Sequence, residues 1–186
     1  AGISELLDAL SRQVEQMGTV RLGTPVTKLF GREQPDNGWN VTLKDGGTES
    51  FDAVVLAVRS HQAADLLEGA ENELAGLLRQ ILYASTAVVI SGHKLADIRN
   101  PLLAFGLVIP MIENRKILAV SYSSRKFPGR APRGHVILRT FVGGAMQPEL
   151  FDLSDDEIIM LVREELQEIL GISGEPDFQI MARYEK

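Results

Sequence analysis

Ile3, Leu6, Leu7, Leu10, Val14 and Met17 recur at the spacing of one helix face, and Gly18 stands where a helix C-cap would. This predicts an amphipathic helix followed by a strand over 19–22. The periodicity then switches to a two-residue alternation, predicting a three-stranded meander. "PVTKLF" reads as its first strand, and "WNVTL" as its second, with Trp39, Val41 and Leu43 on one face. An Asn-Gly turn at 37–38 joins them, and an Asp-Gly turn in "KDGGT" follows. "FDAVVLAV" (51–58) is apolar without alternation and reads as a fully buried strand.

Past Ser60, a plausible N-cap, Ala63, Ala64, Leu66 and Leu67 predict a short helix, and Leu74, Leu77, Leu78 and Ile81 a second. "ASTAVVIS" is rich in β-branched residues and reads as a strand. "FGLVIP", "KILAVSY" and "HVILRTFV" predict three more. "SDDEIIMLVREELQEILG" is the clearest helix: Ser154 and Glu157 have capping-box spacing, Asp155 and Asp156 fall in the first turn, and Gly171 ends it. A final strand alternates Phe178, Ile180, Ala182 and Tyr184. The fold class expected is α+β, a mixed and mainly antiparallel sheet packed with helices beside a small α/β piece carrying the meander. A shift in pattern near Ser60 suggests a seam there. There is no Met at position 1 and the last strand pattern runs to the end, so a segment of a longer protein is expected.

Composition narrows the function classes. The chain has 186 residues, 45% of them hydrophobic and 24% charged, enough for a real core. A net charge of −6 disfavours nucleic acid as a partner. The absence of cysteine removes disulfides, thiolate metal sites and a Cys nucleophile. No apolar run reaches membrane-spanning length and no signal peptide is visible. A cytoplasmic setting is expected, with peripheral membrane contact and homo-oligomerisation left open.

Candidate chemistry is sparse. His61, His93 and His135 have no metal-ligand spacing, so no metal is expected. A Ser/His/Asp arrangement stays open, but no G-x-S-x-G elbow exists. The acidic run 155–157 is explained by its helix N-terminus. Arg125, Lys126, Arg130 and Arg133 crowd a turn-rich stretch that is either an anion grip or a solvated loop, the second favoured. Gly143-Gly144 either admits a ligand to the backbone or ends a strand. Phe105, Val108, Leu118, Val120 and Phe141 are core or the lining of a pocket for a large flat ligand, with core favoured from pattern alone. "FDAVVLAV" looks like a late strand of a dinucleotide-binding domain, yet the chain has no G-x-G and so no phosphate cradle.

"GISELLDALSRQV", "RLGTPVTKLF" and "GWNVTLKDGGTESFDAVVLAV" resemble the middle of flavin-dependent amine-oxidase-like enzymes. "YASTAVVI", "AFGLVIP", "ILAVSYSSRKFPGRAPRGHVILRTFVGG" and "PELFDLSDDEI" narrow the resemblance to oxygen-dependent protoporphyrinogen oxidases. It covers essentially the whole chain and is most specific over 105–144. It implies a central fragment: residues 1–60 as part of an FAD-binding domain and 61–186 as a substrate-binding domain. The glycine-rich FAD segment, the second flavin segment and the family's N-terminal propionate-facing arginine are missing from it. The implied reaction is oxidation of protoporphyrinogen IX to protoporphyrin IX with dioxygen, in heme biosynthesis, and the fragment alone is expected to be inactive and without FAD. The implied residues are Phe105, Gly106, Val108, Leu118, Val120 and Phe141 against the tetrapyrrole, and Val26 and Ala57 against FAD, with no catalytic side chain. Arg59 stands where the family commonly has a small residue or proline. Alternatives are another amine-oxidase or desaturase-type flavoenzyme, or a non-catalytic binding module.

Overall fold

The computed structural model describes residues 3–31 and 38–186. The chain forms two compact units, 1–82 and 83–186. The first holds helix α1 (Ile3–Met17), strands β1 (Val26–Gly31), β2 (Trp39–Leu43) and β3 (Thr48–Phe51), and helices α2 (Ser60–Leu67) and α3 (Asn72–Arg79). The strands form the expected antiparallel meander in the order β1-β2-β3. Its second turn is set by Asp45, whose carboxylate accepts the Gly47 N–H at 2.9 Å. The Asn-Gly turn falls partly outside the described residues. Leu29, Val41 and Leu43 pack with Ala64, Leu67 and Ala75, so the meander and the α2–α3 pair share one core. The division between units therefore falls after Leu82, and the seam read from composition near Ser60 lies within the first unit.

Three expectations need correction here. Residues 19–22 are not a strand, because the chain turns at Leu22 and Gly23 and no strand among the described residues pairs with it. The third meander strand is the polar Thr48–Phe51 rather than the apolar run after it. Residues 53–57 have no regular secondary structure and join no ladder among the described residues, and Val55 is 90% exposed. A strand buried on both faces needs hydrogen-bonding neighbours and covering layers, and none is present for this run among the described residues. Helix α1 forms as its periodicity predicts, but none of its residues is buried.

The second unit is built on one five-stranded sheet, ordered β5-β6-β7-β4-β8: β4 (Thr86–Lys94), β5 (Gly106–Val108), β6 (Ala119–Tyr122), β7 (His135–Gly143) and β8 (Phe178–Tyr184). Every pairing in it is antiparallel. The nine-residue β4 and β7, at its centre, pair along their whole length because both are rich in β-branched residues. Helix α5 (Asp155–Leu170) covers one face, burying Ile158, Leu161, Val162, Leu166 and Leu170 against the sheet.

Its start is fixed by the expected capping box. The Glu157 N–H donates to Ser154 Oγ at 3.3 Å, and the Ser154 N–H donates to Glu157 Oε2 at 2.8 Å. The Ser154 hydroxyl and N–H together hold the Glu157 carboxyl below its ordinary range. At the far end Gly171 adopts φ +66°, the left-handed turn that favours glycine. Arg183 of β8 ties the sheet to this helix start, donating to Asp155 Oδ1 and to the carbonyls of Phe151 and Leu153. The acidic run is thus a helix start, as its spacing implied.

The basic stretch is exposed. It contains a one-turn helix α4 (Ser123–Lys126) that the sequence did not reveal, and then turns into β7. Arg125, Lys126, Arg130 and Arg133 are all solvent-facing, and Arg130 lies over the Phe127 ring. This is the arrangement of a solvated connection between β6 and β7.

Candidate functional site

Strand alternation divides the sheet into two chemically different faces. Cross-strand register aligns Leu107, Val120, Thr140, Val89 and Met181 in one row on the α5 side. This face is the core of the unit.

The opposite face carries two adjacent rows. One is Val108, Ala119, Phe141, Val88 and Ala182; the next is Gly106, Ser121, Arg139, Ile90 and Ile180. Three residues singled out from the sequence, Gly106, Val108 and Phe141, meet here across β5 and β7. Val108 is 81% exposed. Phe105 lies just ahead of β5, 65% exposed, its carbonyl accepting the Tyr122 N–H at 2.9 Å.

The other two are elsewhere. Val120 is 1% exposed in the core beneath α5, because its position in the alternation turns it away from Val108 and Phe141. Leu118 lines a recess of about 280 Å³ with Ile117, Met146, Gln147 and Leu150. The sequence pattern, without register, gave these strands no inside and outside.

Gly106 allows β5 to lie tight on β6. A Cβ there would sit inside van der Waals contact with the Val120 carbonyl oxygen and 3.1 Å from Ser121 Cα. This is a close backbone approach that only glycine permits.

Arg139 went unnoticed in the sequence reading. It is the one charged residue within the run Val136–Val142, at a position that alternation assigns to the open face. Its guanidinium carbon lies 5.7 Å from the Phe141 ring centroid. Its Nε is shielded from solvent and has no hydrogen-bond partner. Among the described residues no carboxylate pairs with it.

The α5 side holds another polar pair. His93 Nε2 is 2.8 Å from Ser91 Oγ, and both are buried. Burial pushes the imidazole below its ordinary range, Asp177 and Asp97 pull it up, and Arg163 adds to the lowering. This pair lies on the other side of the sheet from Arg139 and Phe141. A recess of about 690 Å³ opens at the C-terminal end of α5 among Asp97, Arg99, Glu168 and Ile172 and includes none of the predicted site residues.

The two residues assigned to FAD from the resemblance both lie in the first unit. Val26 opens β1 and Ala57 closes the irregular run 53–57 before α2. Both are exposed, and the Ala57 backbone is outside any ladder. The sequence has no G-x-G turn, the element that cradles a dinucleotide's phosphates.

This α+β architecture is that of the FAD-binding amine-oxidase-like folds. The crystal structure of a protein from Exiguobacterium sp. 255-15, provisionally assigned as a protoporphyrinogen oxidase, matches with a TM-score of 0.71 and 27% identity, over 95% of this chain and 38% of that one. The chain belongs to the flavin-containing amine oxidoreductase family, whose model matches residues 1–185. Among its relatives, coproporphyrinogen III oxidase of Bacillus subtilis is 29% identical over 185 residues, covering 98% of this chain and 38% of that protein. Mitochondrial protoporphyrinogen oxidase of Nicotiana tabacum is 28% identical over 190 residues, covering 95% and 38%. The chain thus spans 38% of the length of each of these relatives. The family is one of oxidoreductases, and FAD is the cofactor it implies for the related full-length proteins. Among the described residues no helix is long and apolar enough to cross a membrane.

Proposed function

We propose that this chain is the tetrapyrrole-facing portion of an FAD-dependent oxidase that converts a porphyrinogen to its porphyrin with dioxygen in heme biosynthesis. The observation that carries this reading is the open sheet face, where Gly106, Val108, Ala119 and Phe141 form an apolar shelf backed by a rigid antiparallel sheet. A tetrapyrrole gains ~25 cal/mol for each Å² of apolar surface it buries on such a shelf. The resemblance over 105–144 and the names of the relatives support the same substrate class.

Bound FAD would supply the electron acceptance, two electrons at a time, and the handover to dioxygen. The chain's own part is to hold the ring in one orientation and exclude water from one side of it. Neither row of the open face offers a carboxylate or imidazole as a general acid or base, which suits a reaction whose chemistry rests on a cofactor. Val26 and Ala57 would lie along the flavin in the full-length protein. The exposed stripe of α1 and the unpaired run 53–57 would be covered there by the remainder of the flavin-binding half.

The test uses the full-length protein that contains this chain. Given protoporphyrinogen IX or coproporphyrinogen III in air, it is expected to develop porphyrin fluorescence with matching peroxide. Turnover of primary amines with no porphyrin signal would overturn the reading in favour of a different flavin oxidase. Absence of bound flavin would favour a binding module.

A further inference from the structure

A guanidinium on an apolar sheet face with no acid beside it is an expensive arrangement unless something anionic comes to it. Arg139 is in that position. It occupies the central strand β7, with Ser121 and Ile90 on either side in register. Its guanidinium lies over the Phe141 ring. Among the described residues no hydrogen bond or ion pair engages the guanidinium, and its planar fork of N–H groups suits a carboxylate with paired hydrogen bonds. Same-face rows of a strand lie roughly 7 Å apart. A macrocycle resting on the Phe141 row therefore presents its peripheral carboxylates to the Arg139 row.

Resting on the function proposed above, we propose that Arg139 is the substrate-carboxylate grip of this face. It pairs with a propionate at one of the ring positions that carry vinyl groups in protoporphyrinogen, and so biases the site toward the tetrapyrrole richer in propionates. Coproporphyrinogen keeps propionates where protoporphyrinogen has vinyl groups. An added cation on the binding face therefore discriminates between the two by charge. Loss of the cation leaves the apolar shelf, which serves both. The exposed Arg125, Lys126, Arg130 and Arg133 do not compete for this role, since they belong to the solvated connection before β7.

The experiment compares the full-length wild type with Arg139→Met and Arg139→Lys. Dissociation constants for coproporphyrin III and protoporphyrin IX are measured by fluorescence titration, beside kcat/KM for the two porphyrinogens. Arg139→Met is expected to weaken coproporphyrin III binding about tenfold or more, the value of a charge-assisted pair, and to weaken protoporphyrin IX binding much less. The change should appear in KM rather than kcat, and Arg139→Lys should recover part of it. Unchanged flavin content and thermal midpoint exclude a folding defect. Equal losses for both porphyrins, or a lowered midpoint with no change in their ratio, would overturn the inference and make Arg139 a structural residue. Unchanged affinities would do the same. A wild type that binds and oxidises neither tetrapyrrole would sink the proposed function, and this inference with it. A wild type that oxidises either, with an unmoved ratio in Arg139→Met, would sink this inference alone.

Discussion

Gly106→Ala is expected to detach β5 from the edge of the sheet and to weaken tetrapyrrole binding with it. The new methyl group would press on the Val120 carbonyl oxygen and the Ser121 backbone. Neither can yield as a flexible side chain would, because β6 is held on its other side by β7. Overpacking of this kind costs about 1–3 kcal/mol or more. The strand has only three residues, so few ladder bonds resist its release. Val108 sits on the same strand and would leave the shelf with it. Gly76→Ala in α3 is the control: nothing lies within 4 Å of its added methyl group, and the change should stabilise by about 0.5–1 kcal/mol. Thermal unfolding of the two variants, beside porphyrin titration of the first, checks both parts. A Gly106→Ala protein with wild-type midpoint and porphyrin affinity would show that β5 does not need the close approach.

The second large effect is Leu138→Ala. Leu138 is 0% exposed on the α5 side of β7, packed within the principal core. Its truncation is expected to cost about 2–5 kcal/mol. Ile137→Ala, one residue away on the open face, should cost clearly less, since its side chain does not belong to that core. Chemical denaturation of the pair tests the assignment of faces directly. Equal costs would mean that the alternation does not divide core from ligand face as described.

Much of this was legible in the sequence because it is local. The capping box at Ser154 and Glu157 and the stop at Gly171 need only neighbours in the chain. The two-residue alternation of Trp39, Val41 and Leu43 likewise announced a half-buried strand. The open face was legible only in part. Val108, Leu118, Val120 and Phe141 were singled out together from their apolar pattern, and Gly106 through the resemblance, but the pattern could not say which of them share a face because strand register is a long-range property. Val120 faces the helix only because it pairs with Thr140 and Leu107. Arg139 could have been found: a lone charge in an apolar strand, two residues before an aromatic ring, is a local signal. It was lost beside the denser basic stretch just upstream. The run 53–57 failed for the opposite reason, since its composition describes a strand buried between layers that the described residues do not supply.

Cysteine labelling tests most directly whether the sheet face opposite α5 is the tetrapyrrole wall proposed above. This chain contains no cysteine. Val108→Cys places a thiol on the open face, and Met160→Cys places one on α5, at a position that is 61% exposed. Each is introduced into the full-length protein and alkylated with and without coproporphyrin III, and the peptide carrying the site is quantified by mass spectrometry. Porphyrin is expected to slow labelling at position 108 and leave position 160 unchanged. Unchanged labelling at 108, or protection at 160 instead, would contradict the account.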